Sequence, residues 1–115
     1  MKTKIYHNPR CSKSRATLAL LEERSADIEI VDYLNSPPTE SEILELLTAL
    51  NLEPIDIVRT NEPEFKDSGI GKDAPAQTLI KLITTAPKLL QRPIVVVGGR
   101  ARIGRPPEQV LELLE

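Results

Sequence analysis

Apolar residues recur along this chain with two different spacings, and the change from one to the other divides it into strands and helices. Lys4 to His7 reads as a short strand. From Ser12 to about Arg24 no glycine or proline intervenes, and Ala16, Ala19 and Leu20 fall at i, i+3 and i+4, which predicts a helix with those residues inward. Ile28-Glu29-Ile30-Val31-Asp32-Tyr33 is brief, β-branched and largely apolar, so a second strand is expected. Two strands joined by one helix should pair in parallel, with a right-handed crossover.

Asn35-Ser36-Pro37-Pro38 then breaks the pattern. Thr39 followed by Glu42 forms a capping box for a helix reaching about Leu50, with Ile43, Leu46, Leu47 and Leu50 as its apolar stripe. Pro54 to Arg59 starts another short helix, and Thr60 to Ala74, polar and carrying Gly69 and Gly71, reads as loop. Ala76 to about Thr85 is helical again, with Leu79, Leu82 and Ile83 inward.

Pro93-Ile94-Val95-Val96-Val97 is a buried strand, and Gly98-Gly99 turns it into Ala101-Arg102-Ile103 as a hairpin. A closing helix tolerates Pro106 and Pro107 in its first turn and carries Val110, Leu111 and Leu114 on one face. The order is β-α-β, a helical segment, β-β, then α. It resembles the thioredoxin-like α/β arrangement: a βαβ unit and a β-hairpin in a four-stranded mixed sheet, with a C-terminal helix. The expected organisation is a single domain over 1–115 with a helical insertion at about 36–88.

A chain of 115 residues with 40% apolar and 28% charged side chains suits one globular domain with its own core. The formal charge of −2 and an aromatic content of 3% argue against a nucleic-acid partner. One histidine and one cysteine cannot supply the roughly four ligands of a structural zinc site, so no metal is expected. A single cysteine also means that the fold needs no internal disulfide. Met1-Lys2-Thr3-Lys4-Ile5 has no apolar run like a signal peptide, and Ile94 to Val97 is far too short to span a bilayer. The expectation is a cytoplasmic protein with no membrane partner.

The chemistry centres on that one cysteine. Cys11 lies in His7-Asn8-Pro9-Arg10-Cys11-Ser12-Lys13-Ser14-Arg15, where a strand gives way to a helix. There it faces unpaired backbone N–H groups and the positive end of the helix dipole, with Arg10, Lys13 and Arg15 nearby. All of these favour the thiolate, the nucleophilic form. Arg92 precedes Pro93 at the mouth of the third strand, Arg105 precedes Pro106, and Arg59 ends the middle helical segment. In a thioredoxin-like fold the proline opening the third strand is usually cis and lies beside the active cysteine, so Pro93 in that place would deliver Arg92 to the thiol. Guanidinium groups suit a tetrahedral oxyanion because each offers a fixed fork of donors. Each of these arginines could instead be solvated or paired with one of the acidic residues. Arg100 and Arg102 are expected to be exposed on the hairpin. His7 could hydrogen-bond in the cysteine loop, help to hold a thiolate, or simply pack.

His7-Asn8-Pro9-Arg10-Cys11 with Ser14-Arg15, then Arg92-Pro93-Ile94-Val95-Val96 and Arg105-Pro106, resembles the glutaredoxin-coupled arsenate reductases. Tyr33-Leu34 and Pro37-Pro38 extend the resemblance nearly end to end. It implies a nucleophilic Cys11, an oxyanion trio of Arg59, Arg92 and Arg105, and supporting roles for His7, Ser14, Arg15 and Pro93. Ser12 and Lys13 stand where established members often have Gly-Thr, and the chain stops at Glu115 without the extension of longer members. These departures bear on the substrate, not the fold.

The activity implied is reduction of arsenate to arsenite through a covalent Cys11 adduct, as in arsenic resistance. No cofactor is bound, glutathione is the co-substrate, and glutaredoxin is the partner. A neighbouring alternative is a glutathione-dependent thiol reductase acting on another substrate. A cysteine-phosphatase loop would need arginine at position 17, where Thr17 stands. A third reading is a binding protein like the Spx-type regulators of RNA polymerase. Many of those carry a second cysteine where this chain has Ser14.

Overall fold

A computed structural model describes residues 2–24 and 27–114. Two compact units emerge, one built from Met1–Ser36 and Arg92–Glu115, the other from Pro37–Gln91.

The first unit holds the sheet. Strand β1 (Thr3–Tyr6) leads into helix α1 (Ser12–Arg24) and strand β2 (Ile28–Val31), and β1 and β2 pair in parallel. Strands β3 (Ile94–Val97) and β4 (Arg100–Ile103) form an antiparallel hairpin, turned at Gly98, whose φ of 63° suits glycine. Strand β3 also pairs antiparallel with β1, giving the order β2-β1-β3-β4. This is the four-stranded mixed sheet of a thioredoxin-like fold. A closing 3-10 helix (Pro107–Leu114) follows the hairpin. Ile5, Leu21, Val95, Val110 and Leu113 form the buried cluster, with Leu18, Ile28, Val97 and Leu114 packed on it.

Two helical faces differ from those the sequence suggests. On α1 the buried positions are Ser14, Thr17 and Leu21, whereas Ala16 and Ala19 are exposed and Leu20 is half-buried. The inward stripe is thus rotated toward two hydroxyl residues, which are tolerated because both hydroxyls are hydrogen-bonded. In the closing helix Val110 and Leu113 are buried, while Leu111 and Leu114 are only partly so. A 3-10 helix has about three residues per turn, so positions i and i+3 share a face.

The second unit is helical. Helix α2 (Glu40–Leu50) starts at Thr39 with the expected capping box and buries Ile43, Leu46, Leu47 and Leu50. It stops at Asn51, which takes the left-handed conformation at φ 59°. A 3-10 turn (Pro54–Ile57) precedes helix α3 (Pro63–Asp67), which lies inside the stretch expected to be loop. Five residues with one buried apolar side chain, Phe65, are too few to show a helical period. Helix α4 (Ala76–Thr85) buries Ile80 as well as the expected Leu79, Leu82 and Ile83. A last 3-10 turn (Pro87–Leu89) leads to a single antiparallel bridge between Leu90 and Val58.

Candidate active site

Cys11 occupies the N-cap of α1. Its carbonyl accepts from the Arg15 N–H at 3.0 Å, and its own N–H donates to the Asn8 carbonyl at 3.0 Å. The sulfur therefore faces the first turn, where the backbone N–H groups of Lys13 and Ser14 donate to it. A serine or aspartate oxygen often fills this place; here a partly exposed sulfur does.

The two ends of the β3–β4 hairpin bring the arginines to that sulfur. Ile94 pairs with Ile103, and the Gly104 N–H donates to the Pro93 carbonyl at 2.9 Å, so the chain before β3 runs alongside the chain after β4. This sets Arg92 opposite Arg105. Arg105 Nε donates to the Arg92 carbonyl at 2.8 Å, while its Nη2 donates to Cys11 Sγ at 3.6 Å. The Arg92 guanidinium hydrogen-bonds the same sulfur. The Arg92–Pro93 peptide bond is cis, as expected for Pro93, and so is Arg105–Pro106.

These contacts decide the state of the thiol. Burial is the largest single influence and pushes the Cys11 pKa up. The Ser14 N–H, the Arg92 guanidinium, the Lys13 N–H and the Arg105 charge together outweigh it, and the pKa lies below the ordinary thiol value. The helix N-terminus acts as the sequence suggests, but the cationic help comes from elsewhere. Arg10 is exposed, and Arg15 turns its Nη1 to the Pro9 carbonyl at 2.9 Å. The charge at the sulfur is supplied by Arg92 and Arg105, far along the chain.

His7 and Ser14 hold the loop in shape. Ser14 Oγ lies 2.6 Å from His7 Nδ1 and accepts the Asn8 N–H at 3.0 Å, tying the end of β1 to the first turn of α1. Burial lowers the His7 pKa most, the Arg15 charge lowers it further, and Asp32 pulls the other way. The neutral imidazole of His7 is thereby favoured, and its bond to Ser14 anchors the residue whose N–H reaches the sulfur.

Three residues of the site were not singled out in the sequence. Asn8 accepts the Arg10 N–H on its Oδ1 at 3.0 Å, an Asx turn that shapes the loop; the Asn8-Pro9 dipeptide is the signal that marks it. Thr17 is fully buried and its Oγ1 donates to the Lys13 carbonyl at 2.8 Å. Gly104 packs against it so closely that a Cβ there would sit 2.5 Å from Thr17 Oγ1 and 2.8 Å from Pro93 Cγ. No neighbour-level signal reveals this, because the requirement is closeness to α1. Gly104→Ala should therefore destabilise the protein by roughly 1–3 kcal/mol through overpacking. Urea unfolding should show a lower midpoint at unchanged slope; an unchanged midpoint would mean that this contact relaxes freely.

The remaining candidates lie as follows. Arg59 belongs to the second unit, where its N–H donates to the Leu89 carbonyl at 2.7 Å. Its guanidinium donates to Glu62 Oε1 through Nε and Nη2, both at 3.3 Å, and to Gln91 Oε1 through Nη1 at 3.3 Å. Arg100 is exposed as expected, whereas Arg102 is half-buried and pairs with Glu112. Among the described residues no group of three or more His, Cys, Asp or Glu side chains is disposed to hold a metal ion. No helix among them is long and apolar enough to cross a membrane.

The arrangement is that of a thioredoxin-like protein whose lone N-capping cysteine sits between two guanidinium groups. It can present a thiolate beside donors suited to a tetrahedral oxyanion. The ArsC family model matches residues 6–113, and the chain belongs to that family. An arsenate reductase of Neisseria meningitidis serogroup A is 42% identical over 113 residues, covering 96% of this chain and 97% of that one. A protein of Escherichia coli K12 named only as uncharacterized protein YfgD is 45% identical over 113 residues, with 96% and 95% covered. The solved structure of an arsenate reductase from Vibrio cholerae superposes with a TM-score of 0.94 at 43% identity, covering 99% of this chain and 98% of that one.

Proposed function

We propose that this protein reduces arsenate to arsenite through a covalent adduct on Cys11. The observation that carries the reading is the convergence of Arg92 and Arg105 on one N-capping sulfur, with Arg105 Nη2 at 3.6 Å. Relatives bearing the name arsenate reductase support it. Arsenate is a tetrahedral anion, and forked donors offset its charge while the first turn of α1 adds backbone N–H groups.

In this reading the Cys11 thiolate attacks arsenic, an S–As bond forms, and one oxygen leaves as water after protonation. Arsenic is still pentavalent in the adduct. Two electrons must then come from outside, because the chain has a single cysteine. Glutathione and then glutaredoxin supply them: two thiols become one disulfide, arsenite departs, and the Cys11 thiolate is restored. His7, Ser14, Arg15 and Pro93 keep the loop and the arginine pair in place.

The test is arsenate-dependent NADPH oxidation in a mixture of glutathione, glutaredoxin and glutathione reductase. Turnover that saturates in arsenate and requires glutaredoxin is the expected result. Activity with thioredoxin alone would overturn the coupling, and no rate above background would overturn the arsenate reading itself.

A further inference from the structure

Helix α2 and the 3-10 turn after it carry an unbalanced charge. From Pro37 to Val58 the chain holds five carboxylates, Glu40, Glu42, Glu45, Glu53 and Asp56, and no lysine, arginine or histidine. Beside them lies an open groove of about 420 Å³, lined wholly by residues of the second unit. Buried Leu47 and Ile80 line it, and so do Leu44 and Leu52, which stand 52% and 38% exposed. Three large apolar side chains are exposed among the described residues, and two of them therefore share this one groove; the third, Ile30, is on β2. An exposed leucine alone needs no explanation, but two in one concave apolar lining mark a contact surface.

Glu53 and Asp56 complete the lining. Asp56 Oδ2 accepts the Glu53 N–H at 3.0 Å, and among the described residues no ion pair engages either carboxylate. Helix α2 also ends here, at Asn51, so the negative end of its dipole adds to theirs. Such a surface repels anions, arsenate and glutathione included, and favours an occupant that brings apolar and cationic groups together. The groove is too open to enclose a small molecule, whereas an amphipathic helix can lay a stripe of aliphatic side chains along it.

We propose that this groove docks a basic amphipathic helix of a partner protein. Its aliphatic side chains pack against Leu44, Leu47, Leu52 and Ile80, and its lysines or arginines face Glu53 and Asp56. This surface is independent of the chemistry at Cys11.

The experiment follows the fluorescence anisotropy of a labelled helical peptide with leucines at i, i+3, i+4 and i+7 and lysines elsewhere. One control peptide has glutamate in place of every lysine, and another scatters the leucines around the helix. The proteins are the parent, Leu44→Gln/Leu52→Gln and Glu53→Gln/Asp56→Asn, all exchanges that keep side-chain length. The parent should bind the leucine-lysine peptide roughly tenfold or more tighter than either control, and Leu44→Gln/Leu52→Gln should remove that advantage. Glu53→Gln/Asp56→Asn should weaken binding roughly three- to tenfold and flatten its dependence on salt. Amide shifts in the parent should cluster around Thr48 and Ala76. Equal affinity for the scattered peptide, or binding unchanged in Leu44→Gln/Leu52→Gln, would mean attraction by charge alone and overturn the proposal. Absence of binding would overturn it as well. Self-association of the parent that is lost in Leu44→Gln/Leu52→Gln would assign the groove to a second copy of this chain, and the proposed partner would fall.

Discussion

Replacing Cys11 by serine should abolish arsenate reduction, a fall of roughly 10³-fold or more to background. The hydroxyl at that place is almost never ionised near neutral pH, so the attacking species is lost while the shape of the site is kept. Serine is also among the best N-cap residues, and its Oγ can take the N–H donors of Lys13 and Ser14 that the sulfur now accepts. Urea or thermal unfolding should therefore show a fold as stable as the parent or slightly more so. Loss of turnover with intact stability separates a chemical role from a structural one. Retained turnover would end the covalent mechanism, because the chain holds no second thiol.

The next largest effects should come from Arg92→Ala and Arg105→Ala. A hydrogen bond to a charged group contributes about 1.5–3 kcal/mol, so each variant should raise the KM for arsenate by roughly 10- to 100-fold. Arg105→Ala should be the more damaging. It removes both the bond to Cys11 Sγ and the Nε–H that holds the Arg92 carbonyl, so Arg92 loses an anchor as well. Arg105→Lys should recover only part of the loss, since one ammonium cannot span the two acceptors as the planar fork does. Sulfate inhibition should weaken in both alanine variants. A KM unchanged in both would move the oxyanion site away from the hairpin ends.

The features read correctly from the sequence are those set by near neighbours. The Thr39–Glu42 capping box is a four-residue device, and the hairpin at Gly98-Gly99 needs only a backbone free to turn. The N-cap place of Cys11 follows from the strand–helix junction around it. What was misread depends on groups far apart in the chain. The inward face of α1 escaped a hydrophobic pattern because two of its three buried residues are Ser14 and Thr17. Burying them requires His7, Asn8 and the Lys13 carbonyl as partners, which no period in the chain reveals. The convergence of Arg105 on a cysteine 94 positions earlier comes from the register between β3 and β4 and the pairing of β3 with β1. The expected cis-proline at Pro93 does bring Arg92 to the thiol from the sequence, whereas local charge counting adds Arg10, Lys13 and Arg15, which do not supply the charge there. For the same reason no local pattern marks Gly104, whose constraint is its closeness to Thr17.

The central claim is that α1, Arg92 and Arg105 hold Cys11 as a thiolate despite its burial. The rate of alkylation by iodoacetamide as a function of pH measures this most directly, since only the thiolate reacts. The sign follows from the contacts: each favours the charged form, so reactivity should persist as pH falls below the free thiol value of about 8.5. The predicted result is an apparent pKa clearly below that value in the parent, shifted upward in Arg92→Ala and Arg105→Ala. An apparent pKa at or above about 8.5 in the parent would show that burial prevails, and would contradict the account.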